Sequence, residues 1–139
     1  MTKLYIVRGN PGSGKSTYAK SLMQHIKNSV HYEADMYFMY NGEYIFDKTK
    51  LGAAHEWCLM STQKSLQEGK NVIVSNTFTT LRELQPYIDF CNKNGFEFLV
   101  IRMNNDFGNI HNVPEDVIQN MKKRFQDYLG ETIISNPRK

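Results

Sequence analysis

Residues 9–17 read Gly-Asn-Pro-Gly-Ser-Gly-Lys-Ser-Thr, which fits G-x-x-x-x-G-K-[ST] and constrains the chain more than any other stretch. Residues 4–7, Leu-Tyr-Ile-Val, form a short β-branched and aromatic run that predicts a buried strand. Behind the loop, Ala19, Leu22, Met23 and Ile26 recur at helical spacing. In a strand, glycine loop and helix so ordered, successive backbone N–H groups surround a phosphate and the helix N-terminus adds partial positive charge. Glycines let the loop turn and let the backbone approach phosphate oxygens with no Cβ in the way. Lys15 is long enough to reach the β- and γ-phosphates, and the Ser16 hydroxyl is a ligand for Mg²⁺. Asn10, Pro11, Gly12, Ser13, Gly14, Lys15, Ser16 and Thr17 are therefore read as a nucleotide-binding loop.

The 139 residues suit one domain around a single core, residues 1–139, and 40% of them are hydrophobic, enough to fill it. No apolar run approaches the roughly 18 residues that span a membrane. The first strand is entered by Lys3, which leaves no room for a signal peptide. Cys58 and Cys91, both among apolar helical positions, are read as buried thiols of a cytoplasmic protein rather than a disulfide. A net charge of +3 tolerates phosphate-bearing ligands but is far short of a nucleic-acid footprint by charge alone.

Periodicity and turn residues predict further strands over 30–34, 71–75 and 96–101. Helices are predicted over 51–68, 81–92 and 114–129, with Leu51, Ala54, Cys58, Leu59, Leu66, Leu81, Leu84, Ile88 and Cys91 turned inward. Gly69 closes the second helix. Residues 36–50 are rich in tyrosine and phenylalanine and carry a turn at Asn41-Gly42, without a firm assignment. Residues 103–112 read as a polar loop, and 130–139 as a loosely held tail. Strands alternating with helices predict an α/β fold, a mostly parallel sheet of four to five strands flanked by helices. Ligands of such sheets sit at the carboxyl ends of the strands, where the loop at Gly9, Asp35 and Ser75-Asn76-Thr77 converge.

Asp35 is the candidate general base for a hydroxyl nucleophile, the other reading being a helix N-cap. Glu33, two residues away, is expected on the opposite face of its strand and ranks lower. Where many such proteins end a strand with a Mg²⁺-holding Asp, the third strand here ends in Ser75-Asn76. Metal binding then rests on Ser16, the nucleotide and water, with Asp35 as a water-mediated contact. Arg82, Arg102 and Arg124 are candidates for positive charge on a moving phosphoryl group. Lys122-Lys123-Arg124 also reads as a solvated face, and Val117, Met121, Phe125 and Tyr128 as a core-packing stripe of the last helix. Taken alone, His111 reads as an exposed loop residue and Tyr37 as a packing residue.

These residues together resemble the P-loop kinase family typified by the kinase domain of phage polynucleotide kinase, which includes small phage and bacterial ATP-binding proteins. The resemblance spans residues 4–130 and rests on the Walker A loop 9–17, Asp35-Met36-Tyr37, Ser75-Asn76-Thr77, the stretch from Asn109 through His111 to Pro114, and Met121 to Phe125. It implies a P-loop kinase fold with a lid before the last long helix, and ATP- and Mg²⁺-dependent phosphorylation of a hydroxyl. The acceptor it implies is a nucleic-acid 5′-OH or a nucleotide-like small molecule. Lys15 and Ser16 would handle ATP and Mg²⁺, Asp35 would be the base, Asn76 and Thr77 would line the acceptor site, and residues 109–114 would close over the nucleotide. Departures from the family pattern are Phe38 and Gly108 where it has arginines, and Asn76 where it has Asp. These departures leave small-metabolite kinase and partner-dependent nucleotide-binding module as competing expectations.

Overall fold

The computed structural model of the chain describes residues 2–105 and 113–135. In chain order these form β1 (Lys3–Arg8), α1 (Lys15–His25), β2 (Ser29–Tyr32), a 3₁₀ turn (Ala34–Phe38), β3 (Met39–Tyr40), β4 (Glu43–Tyr44) and a second 3₁₀ turn (Lys48–Lys50). They continue with α2 (Leu51–Gln67), β5 (Asn71–Asn76), α3 (Leu81–Asn94), β6 (Glu97–Met103), α4 (Glu115–Arg124) and β7 (Thr132–Ile134).

Alternation within the apolar strands decides which helix covers which face. Leu4, Ile6, Val72, Val74 and Val100 pack on one side with Ala54, Cys58, Leu66, Leu84, Ile88 and Cys91 of α2 and α3. Tyr5, Val7, Ile73, Ile101 and Met103 pack on the other side with Ala19 and Leu22 of α1. A sheet buried on both faces needs apolar residues at consecutive positions, which is why its strands read as continuous runs. The main sheet has the order β2-β5-β1-β6-β7 with every pair parallel, the arrangement expected of helix-connected strands. The α/β reading with a mostly parallel sheet therefore holds, at five strands.

Local signals account for the element ends. Gly69 has φ 85° and its N–H donates to the Leu66 carbonyl, so it lies just past the end of α2. Thr80 and Glu83 form a reciprocal capping box at the start of α3, and Gly95 at φ 74° closes that helix. Asn41 and Gly42 both have positive φ, as a tight β3–β4 turn requires. Cys58 and Cys91 are buried free thiols. Leu51 and Leu81, expected inward, are instead 38% and 40% exposed, each standing at the first position of its helix.

The C-terminal part departs most from expectation. The last helix stops at Arg124 rather than near residue 129, and Phe125 adopts an extended conformation. Tertiary contacts outcompete the next helical turn: the Gln126 N–H donates to the Thr79 carbonyl at 2.7 Å, and its Oε1 accepts from the Leu81 N–H at 2.7 Å. Of the stripe read for that helix, Phe125 and Tyr128 lie beyond it, and Ile118 is the helix's buried residue. The stretch read as a loose tail contains β7, which pairs with β6 from Ile101↔Thr132 to Met103↔Ile134. Its β-branched Thr-Ile-Ile sequence fits an edge strand. Among the described residues no helix is long and apolar enough to cross a membrane.

Candidate functional site

The carboxyl ends of β1, β5 and β2 meet around the glycine-rich loop. The Gly9 N–H donates to the Thr77 carbonyl at 3.2 Å, tying the loop to the segment after β5. A Cβ at Gly9 would lie 2.5 Å from Ser13 Oγ and 2.8 Å from the Met103 carbonyl, so only glycine fits. Gly12 and Gly14 have φ of 82° and 91°, and the Tyr18 N–H reaches the Gly14 carbonyl at 3.0 Å to open α1. Asn10, Pro11 and Thr17 complete the cradle, Thr17 with an exposed side chain.

Two buried polar atoms in this loop, Ser13 Oγ and Asn10 Oδ1, have no hydrogen-bond partner. Orphaned polar atoms at a helix N-terminus mark a place built for a polar ligand, and the fit is to phosphate. Lys15 Nζ donates to the Asn10 carbonyl at 3.1 Å, holding the side chain across the loop. Burial pulls the Lys15 ammonium down to about 8, against the opposing charges of Glu33 and Asp35. Phosphate oxygens would compensate an ammonium so withdrawn from water.

Ser16 donates its hydroxyl proton to Glu33 Oε1 at 2.6 Å. This corrects the expected orientation of Glu33. β2 ends at Tyr32, so residue 33 no longer follows the strand's alternation but leads into the 3₁₀ turn. Ser75 Oγ donates to the same carboxylate oxygen at 3.0 Å, and His31 Nε2 lies 2.7 Å from Ser75 Oγ and 3.3 Å from Glu33 Oε1. Burial opposes ionisation of Glu33, yet the bonds from His31, Ser16 and Ser75 together hold its carboxyl at about 2. Among the described residues no three His, Cys, Asp or Glu side chains gather to hold a metal unaided. Hydroxyl and carboxylate oxygens are nevertheless the hard donors that Mg²⁺ takes alongside nucleotide phosphates, so the residues fit that ion.

Asp35 sits in the first turn of the 3₁₀ segment, exposed, accepting a 3.3 Å hydrogen bond from the Tyr44 hydroxyl. Glu33, not Asp35, occupies the cap position, and no side-chain cap bond is made there. Asp35 is thus available to an incoming ligand. Tyr37 is 39% exposed and contacts Trp57 and Phe38, with ring centroids 6.2 and 5.7 Å apart. Phe38, at the position where the resemblance has arginine, is buried against Tyr44 and Phe46. It anchors the β3–β4 ribbon.

The remaining sequence candidates divide. Asn76 is buried, accepts from the Ala34 N–H at 2.9 Å and reaches Cys58 Sγ at 3.6 Å, so it holds the 3₁₀ turn rather than offering its amide to a ligand. Thr77 meets the loop through its carbonyl. Arg102 pairs with Asp127 and Glu131 and lies on the Phe125 ring. Arg124 donates to Thr79 Oγ1 at 3.1 Å, while Arg82 is exposed in the first turn of α3. Asn109 and His111 lie outside the described residues, as does Gly108. Sequence reasoning missed the His31–Ser75–Glu33 chain and the fully buried Arg8; the visible signal was a charged residue closing each of two apolar strands.

A family model described as AAA domain matches residues 4–107. NEDD4-binding protein 2 of Homo sapiens is 30% identical over 141 residues, which cover 94% of this chain and 8% of that protein. A chain in the structure of the Pnkp1/Rnl/Hen1 RNA repair complex is 25% identical with a TM-score of 0.61, covering 88% of this chain and 37% of that one. A sugar kinase from Janibacter sp. HTCC2649 is 12% identical with a TM-score of 0.67, covering 96% and 84%, a likeness of fold alone. The chain spans 8% of that human relative's length and 37% of the repair-complex chain's. The five-stranded parallel sheet flanked by helices is a P-loop kinase-like fold.

Proposed function

The chain belongs to the AAA domain family, and from that premise we propose that it is an ATP-dependent phosphotransferase acting on a hydroxyl acceptor. The observation that carries this reading is the exposed Asp35 carboxylate beside a phosphate-shaped loop, its charge bearing on Lys15. The loop N–H groups, Ser13 and Lys15 would bind and orient the ATP phosphates, and Ser16 would take the Mg²⁺. Mg²⁺ held there would supply charge neutralisation to the nucleotide phosphates. Asp35 accepts the acceptor's hydroxyl proton, and Tyr44 orients the carboxylate.

Two acceptor classes compete. The resemblance and the repair-complex likeness favour a nucleic-acid 5′-OH. Phe38 in place of an arginine favours a small nucleoside-like or metabolite hydroxyl, since the exposed Tyr37, Tyr44 and Phe46 offer ring faces and no charge beside Asp35. The test is transfer of labelled γ-phosphate from ATP to 5′-OH oligonucleotides and, separately, to a nucleoside and sugar panel. Asp35→Asn should lower transfer about 10²–10⁴-fold with ATP affinity intact. Absence of transfer to either class would overturn the kinase reading and leave a nucleotide-binding module that works through a partner.

A further inference from the structure

The strand beside β1 lacks the acid on which P-loop proteins commonly rely for Mg²⁺, since β5 ends in Ser75-Asn76. A carboxylate nevertheless occupies the place beside the loop serine. It arrives from the neighbouring strand: β2 and β5 are parallel with Tyr32 opposite Val74, so Glu33 comes level with Ser75. We propose that Glu33 anchors the divalent cation of the nucleotide site in place of a β5 acid, with Ser75 and His31 as its positioning residues. The proposal rests on the nucleotide-binding reading but not on any particular acceptor.

The direction of the hydrogen bonds supports the assignment. Ser16 donates its proton to Glu33, which leaves the lone pairs of the serine oxygen for a cation. Ser75 also donates to Glu33, so its own oxygen accepts from His31 Nε2 at 2.7 Å. All three contacts converge on Oε1, and Oε2 is not consumed by them. Outer partners of this kind orient a ligating carboxylate. Asp35 stands apart from this network, bonded to Tyr44 on the 3₁₀ turn, so the two acids divide the work. Glu33 serves the cation and Asp35 the acceptor.

The test uses Mn²⁺ as the probe and needs no acceptor. Mn²⁺ is titrated into the protein saturated with a non-hydrolysable ATP analogue, free Mn²⁺ being read by electron paramagnetic resonance, and analogue affinity is measured in parallel with EDTA. Glu33→Gln should weaken Mn²⁺ binding about 10–100-fold while metal-free analogue affinity, which reports the intact loop, is retained or tightened, because a negative charge facing Lys15 is lost. Asp35→Asn should leave Mn²⁺ affinity unchanged. Ser75→Asp in the Glu33→Gln background should restore it by returning a carboxylate to β5. Should Glu33→Gln fail to fold, Ser75→Ala tests the same network and should weaken Mn²⁺ several-fold. Wild-type Mn²⁺ affinity in Glu33→Gln, an equal loss in Asp35→Asn, or a wild-type complex that holds Mn²⁺ no tighter than the free analogue does would each overturn the proposal. Loss of transfer with the Mn²⁺ results intact would count against the kinase reading alone.

Discussion

The guanidinium carbon of Arg8 lies 4.3 Å from the centre of the Phe125 ring. This contact joins the residue before the phosphate loop to the first residue past α4, and Arg102 stacks on the same ring at 4.4 Å. Arg8 is fully buried, gives Nε and Nη2 to the Phe78 carbonyl at 3.0 and 2.6 Å, and pairs with Glu131 at 2.9 Å. Phe78 has φ 45°, unusual for a bulky residue, and its carbonyl is held by that fork.

Removing one partner of a buried pair strands the other charge, at a cost of about 3–5 kcal/mol. Glu131→Ala should therefore destabilise the protein by about 3 kcal/mol, the lower end, because Arg8 keeps its carbonyl acceptor. Urea unfolding monitored by circular dichroism reads the loss. A change below about 0.5 kcal/mol would show that the pair contributes no more than an exposed one.

Asn76 makes its contribution through the backbone of Ala34, one residue before Asp35. Asn76→Ala leaves that buried N–H without an acceptor and should cost about 1–3 kcal/mol. Because the 3₁₀ turn carries Asp35, the apparent KM for acceptor should rise while metal-free ATP affinity stays constant. Steady-state kinetics with isothermal titration separates the two; equal loss of both would place Asn76 in the nucleotide site.

Glu83 accepts from Thr79, Thr80 and the Thr80 backbone N–H. Burial acts to raise its carboxyl, but these bonds prevail and hold it below the ordinary 4.5. A carboxylate so depressed contributes stability that is present above 4.5 and fades as pH falls through its lowered value. Glu83→Gln should cost about 1 kcal/mol at pH 7, and the gap from wild type should close as unfolding is measured at successively more acid pH. A gap independent of pH would disprove the assignment.

Burial pushes the Cys91 thiol up to about 11 and raises that of Cys58 as well. Thiolate, not thiol, reacts with alkylating agents, so both should resist iodoacetamide at pH 8 until the protein unfolds. Mass spectrometry before and after addition of denaturant checks this. Rapid native labelling of either would contradict the packing of α2 on α3.

Local rules determined much of this protein. Residues 9–17 declare a phosphate loop because glycine spacing is a backbone requirement, and the runs at 4–7, 71–75 and 96–101 declare buried strands because each of their faces meets a helix. Thr80, Glu83, Gly69 and Gly95 mark helix ends through bonds that reach only a few residues. What only the tertiary structure decided depends on partners far along the chain. Arg102 reads as a free cation until Asp127 and Glu131 take it, and Asn76 as a ligand-facing amide until Ala34 claims it. Phe125 leaves its helical stripe because two guanidinium groups from β1 and β6 enclose its ring. Glu33 turns toward Ser16 because its strand ends one residue earlier and the neighbouring strand supplies Ser75 to receive it. Strand-end orientation is set by where pairing stops, which is a property of the assembled sheet and not of the residues beside Glu33 in sequence.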